Sequence, residues 1–254
     1  MTEHGSIPPP PPPGLTPPPG YVGYTPTPSA QVPLRRVGGL RTAMLVLLGA
    51  YVLVAVIQLV LLPSVFDAAE TFLAGGNRSE FEDDIAGFGA VGLLTGALSI
   101  AVIVLTMIWL YRVVSNHVAL GRAVTWKPGW AIGGWFVPPL VLYIVPMLLL
   151  RETWKASDPT VPPGDQRWKA TREHPMLWVW WVLYGLVPIV FIVGGVTFGN
   201  FSNDMEDLAK RLDDQQLMNT AQIVAGVLAA GAWAFVVRGI TARHTDLTGE
   251  QRKR

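Results

Sequence analysis

The chain has 254 residues, half of them hydrophobic and only 15% charged, and its mean hydropathy is +0.37. A water-soluble domain of this length rarely carries that balance, and the net charge of +1 says little beside it, because in membrane proteins the placement of Lys and Arg carries the signal. The absence of cysteine excludes a disulfide framework, a thiolate metal site and thiol redox chemistry.

Residues 1–40 read as a Pro-rich arm, with prolines unbroken over 8–13 and again over 17–19. Such a segment favours polyproline II and has too few bulky apolar groups to build a core, so a disordered cytoplasmic arm is expected. Pro-rich ligands dock into aromatic grooves, which leaves a protein partner open for the arm, but a solvated spacer is the preferred reading.

A membrane domain is expected over 41–245, followed by a basic cytoplasmic tail, 246–254. Its first span, 42–62, follows Arg35, Arg36 and Arg41, and an acidic loop with Asp67, Glu70, Glu80, Glu82, Asp83 and Asp84 comes after it. The second span, 85–110, carries Gly92 and Gly96 at a spacing that lets helices approach, read here as packing within the chain. A third, 176–199, opens with Trp178, Trp180 and Trp181 and is expected to kink at Pro188. A second acidic loop follows, in which Met205, Leu208 and Leu212 stand at helical spacing, and the last span, 221–237, is short.

Between the second and third spans lies the stretch 126–154, apolar yet broken by Gly133, Gly134, Pro138, Pro139 and Pro146. The basic segments (the arm, the connection before Trp130, the loop with Arg151, Lys155, Arg167, Lys169 and Arg172, and the tail) prefer the cytoplasmic side, and the acidic loops prefer the outside. A stretch that crossed the bilayer would export the loop containing Arg167. The charges are satisfied if residues 130–150 instead form a re-entrant or interfacial segment, bent at Pro138 and Pro139. The expected fold is therefore all-α and integral to the plasma membrane, with four transmembrane helices, a broken segment and both termini cytoplasmic. Five transmembrane helices are the alternative.

The run WKPGWAIGGWFVPP, then Pro146, then LRETWKASDP and a Trp-rich helix resembles the actinobacterial membrane-protein family catalogued as domain of unknown function 4328. The resemblance implies a multi-pass membrane domain, often behind a Pro-rich arm, and no assigned activity.

No metalloprotease, phosphate-loop or nucleophile-elbow motif is present, and His4, His117, His174 and His244 lack metal-ligand spacing and read as solvated loop residues. None of the apolar runs contains an Asp, Glu, Lys, Arg or His, which argues against a charge-coupled transporter. No enzyme activity, cofactor, metal or nucleic-acid partner is expected, and the oligomeric state is left open. The candidate contact surface for a lipid or protein partner is the cytoplasmic edge of the broken stretch: Arg112, Trp126, Lys127, Trp130, Trp135, Pro138, Pro139, Arg151, Glu152, Trp154 and Lys155, with Arg151 offered as charge partner to Glu152. The favoured function is a non-catalytic membrane module binding through this edge; the alternative is a pore or carrier for a neutral solute.

Overall fold

The computed structural model describes residues 33–137, 144–189 and 204–250, and these are helical with no strands. The arm before residue 33, the Pro138 and Pro139 bend and the last part of the third expected span lie outside the described residues.

Among the described residues, three helices are long and apolar enough to cross a membrane: α1 (Gly38–Leu73), α2 (Arg78–Ala119) and the last helix, Gln216–Thr248. Between them come α3 (Trp130–Gly133) with a 3-10 turn at Gly134–Phe136, then α4 (Ile144–Ala156), α5 (Met176–Ile189) and α6 (Met205–Asp214), so that Gln216–Thr248 is α7. Large apolar side chains point outward along the first two, with Leu93 80%, Val60 73% and Val46 66% exposed. Apolar surface on that scale suits hydrocarbon rather than water.

The long helices overrun the expected spans of 42–62, 85–110 and 221–237 at both ends. An apolar run marks only the part of a helix that seeks hydrocarbon, and about 20 residues are enough for that. The helix itself continues into water wherever capping and packing support it. The described parts of both acidic loops are accordingly mostly helix. α1 runs through Pro63 to Leu73, and α2 begins at Asn77, whose side chain accepts from the Ser79 N–H at 3.0 Å. The Asp204 side chain caps α6 in the same way, accepting from the Glu206 N–H at 3.1 Å. The helix expected from Met205, Leu208 and Leu212 is present, and Met205 and Leu212 pack on a small core of Ala69, Phe81 and Ala209, where Phe72 stacks on Phe81 at 4.9 Å. These elements form the acidic end of the bundle.

The opposite, basic end holds the start of α1 and the ends of α2, α4 and α7. Here Glu250, just past α7, accepts from the N–H groups of Val37 and Gly38 at 3.1 Å each, so the start of α1 receives its capping carboxylate from the far end of the chain. Arg151 lies within α4, which runs on to Ala156, instead of in a loop.

The broken stretch doubles back. The Trp126 N–H donates to Glu152 at 3.0 Å, and Val145 Cγ1 stands 2.8 Å from where a Cβ on Gly134 would lie. Residues 126 and 152, and 134 and 145, are therefore side by side, which a single straight crossing of about 30 Å would forbid.

Candidate functional site

The bundle contains a partly open cavity of about 260 Å³. Its walls follow helical periodicity: Ser99, Val102, Ile103 and Thr106 on α2, Trp180, Leu183, Tyr184, Val187 and Pro188 on α5, and Gln222, Ala225, Gly226, Ala229, Ala230 and Trp233 on α7. Leu48 and Tyr51 of α1 and Trp135 of the 3-10 turn also line it, and none of these side chains is charged.

Two local features shape the walls. Along α5, Val182–Leu186 is a π-helical turn directly before Pro188. A proline ring clashes with the carbonyl four residues back, and widening the helix by one residue relieves that contact. The helix continues past Pro188, and the wider turn brings Leu183 and Tyr184 to the cavity. On α7 the absence of a side chain at Gly226 lets Tyr51 approach, since a Cβ there would lie 2.6 Å from the Tyr51 hydroxyl.

Aromatic rings line one side continuously. Trp135 meets Tyr184 at 6.3 Å, Tyr184 stacks on Trp180 at 5.3 Å, and Trp180 meets Trp233 at 4.8 Å. The indole N–H of Trp135 is shielded from solvent and has no hydrogen-bond partner among the described residues. The opening Trp cluster of α5 and the small-residue stripe of α7 were readable in the sequence, but nothing there says that these two faces meet.

The expected edge residues are mostly engaged within the chain. Arg112 donates to the Arg36 carbonyl at 3.1 Å. Arg151 pairs with Glu173, donating through Nη2 at 2.8 Å, and lies over the Trp178 ring; it does not pair with Glu152. Adjacent side chains on a helix diverge by about 100°, so the Glu152 carboxylate instead accepts from the backbone of Thr125 at 2.7 Å and of Trp126 at 3.0 Å. Trp154 is buried beneath Arg243, and a Cβ on Gly239 would lie 2.6 Å from its ring. Trp126 packs edge-on to Trp130, Lys127 and Trp130 are exposed, and Lys155 is half-buried. Trp135 turns into the cavity lining, while Pro138 and Pro139 lie outside the described residues.

The histidines depart from expectation. His117 and His244 are fully buried, 5.1 Å apart and edge to face, and His174 is half-buried between Trp154 and Phe235. Hydrogen bonding keeps the buried pair in place: His117 Nε2 lies 3.1 Å from the Ser157 hydroxyl and His244 Nε2 lies 2.9 Å from the Asn116 amide. Asn116 also clamps the backbone of Arg35, accepting from its N–H and donating to its carbonyl, both at 2.8 Å. That clamp fixes the amide orientation, so His244 Nε2 is the acceptor. Arg122, which is 2% exposed, donates to the carbonyls of Asp158 and Val161. Several polar atoms of this cluster lack protein partners among the described residues, a situation that ordered water resolves in buried polar sites. Of the expected GxxxG pair, Gly92 faces α1 near Gln58, while a Cβ on Gly96 would meet nothing within 4 Å among the described residues.

The ties at this end depend on ionised carboxylates. The guanidinium of Arg151 holds the Glu173 carboxyl below its usual value of 4.5 against the opposing effect of burial. Burial pushes the Asp158 carboxyl up, but hydrogen bonds from Thr160 and Thr171 and the charge of Arg243 outweigh it and hold it below 3.8. A depressed carboxyl stabilises the fold fully above its unfolded pKa and loses that contribution as pH falls through the folded value. The unfolding midpoint in detergent is therefore expected to drop as pH falls below about 4.5. Glu173→Gln should flatten that acid limb, and an unchanged limb would contradict the assignment.

Residues 73–242 match the model of a family described as domain of unknown function (DUF4328). No curated protein and no solved structure matches the chain.

Proposed function

Because the chain belongs to the DUF4328 family, whose description assigns no activity, its role has to be read from its own geometry, and we propose a non-catalytic membrane module that holds a neutral, largely apolar small molecule or lipid in the bundle cavity. The observation that carries this reading is the lining: aromatic and aliphatic walls, a few hydroxyl, amide and indole groups, and no charge among the described residues. Docking on the basic edge has less to work with, since Arg112, Arg151, Glu152 and Trp154 are engaged within the chain and Trp130 packs against Trp126. A carrier for a neutral solute is the second reading, favoured by the π-helical turn in the cavity wall.

The same proposal sets the domain in the plasma membrane with four spans and both termini cytoplasmic. The contacts 126 to 152 and 134 to 145 support a central segment that enters and leaves on one side, and the collection of cations at the basic end supports the orientation. Single cysteines near Gly75 and Asp207 should react with an impermeant reagent from outside, and those near Gly164 and Gly249 should not. External labelling near Gly164 would overturn this orientation.

Native mass spectrometry of the protein released from its membranes tests the binding role. The wild type is expected to retain a neutral ligand, and Ala230→Phe, which fills the cavity, to lose it. Equal retention by both would remove the cavity from the account. Uptake of neutral solutes into liposomes decides the carrier reading.

A further inference from the structure

Resting on the reading of the cavity as a binding site, we propose that its ligand is of the quinone class: a flat, uncharged ring bearing carbonyl oxygens, carried on an apolar tail. Among the described residues the lining contains no charge to balance an ionised group, and burying an uncompensated charge there would be prohibitive. One wall is a run of rings, Trp135, Tyr184, Trp180 and Trp233, with Tyr184 and Trp180 stacked within 12° of parallel. Such a wall favours a ligand with a π face over a saturated chain.

The polar groups then fix which atoms the ring must carry. The Trp135 indole can only donate, and it is buried without an acceptor among the described residues. On α1, the Tyr51 hydroxyl is a second potential donor in the same lining, placed against Gly226. A donor left unpaired in a low-dielectric cavity calls for an acceptor from the ligand, and carbonyl oxygens supply it without bringing further donors that need partners. From Trp233 to Gln222 the α7 wall spans about 16 Å at 1.5 Å per helical residue. That length accommodates a ring at the aromatic end and the first part of a tail beyond it. A glycerolipid ester would satisfy the donors but would leave the aromatic wall without a partner face.

Equilibrium dialysis of the full-length chain in detergent separates these chemistries with three probes: menadione as the quinone, naphthalene as the same ring system without carbonyls, and dioleoylglycerol as ester carbonyls without a ring. Menadione is expected to bind saturably and at least about tenfold more tightly than either control. Trp135→Phe, which keeps a ring but removes the N–H, should weaken menadione about fivefold and leave naphthalene unchanged, the loss of one hydrogen bond. Tyr51→Phe is the second variant, expected to act in the same direction, and serves if the first fails to fold. If naphthalene or dioleoylglycerol binds as tightly as menadione, or neither folded variant discriminates, the quinone assignment falls while the cavity remains a binding site. If no probe binds saturably, both readings fall.

Discussion

Replacing Trp109 with alanine is expected to lower the stability of the domain by about 4 kcal/mol, the cost typical of removing a fully buried Trp. The ring is 0% exposed at the centre of the bundle, where it meets Trp233 edge to face at 6.2 Å. Its indole N–H donates to the Thr241 hydroxyl at 3.1 Å, tying α2 to α7. Truncation therefore leaves a cavity, a buried hydroxyl without its donor, and a loosened Trp233 in the wall of the binding cavity. Trp109→Phe should recover much of the packing but not the hydrogen bond. Unfolding in detergent, followed by Trp fluorescence, reads the difference, and a loss under about 1 kcal/mol for the alanine variant would mean that Trp109 is not central to the packing.

Asn116→Ala is the second large effect, expected at about 3 kcal/mol, because one amide serves three partners and each bond contributes about 1 kcal/mol, with further cost for groups left unpaired. The partners are the Arg35 N–H, the Arg35 carbonyl and His244 Nε2. The variant should also free the segment leading into α1. Arg35 and Arg36 are the first trypsin sites in the chain, since no Lys or Arg precedes them. Cleavage there should be slow in the wild type and several-fold faster in the variant; unchanged cleavage together with unchanged stability would argue that the clamp does not hold this segment.

How much of this was legible in the sequence differs by feature. The apolar runs locate α1, α2 and α7 because hydrophobic length is itself the membrane signal. Their true ends were not legible, since Asn77 and Asp204 act as caps only once Phe72, Phe81 and Met205 have somewhere to pack. The reversal of the broken stretch was suggested by charge placement and by its Gly and Pro residues. The contact that pairs its two arms, Glu152 with the backbone of Thr125 and Trp126, was not, because the neighbouring Arg151 looked like the partner for that carboxylate.

The buried histidines show the limit most clearly. Asn116 and His244 are 128 residues apart, and nothing in either local sequence distinguishes a buried imidazole from a solvated one. The cavity is an intermediate case. The i, i+3, i+4 pattern of Gln222, Ala225 and Gly226 on α7 and the Trp180 and Tyr184 spacing on α5 each define a face, but only the fold shows that these faces leave a space between them.

The central claim is that a neutral ligand occupies the bundle cavity within a membrane. Photo-crosslinking of the full-length chain in vesicles that contain a neutral, diazirine-bearing lipid tests it most directly, with adducts located by peptide mass spectrometry. Adducts are expected on the peptides carrying Tyr51, Trp180 to Tyr184 and Trp233, and Ala230→Phe should suppress them. Adducts confined to outward-facing residues such as Leu93 and Val60, and indifferent to Ala230→Phe, would contradict the claim.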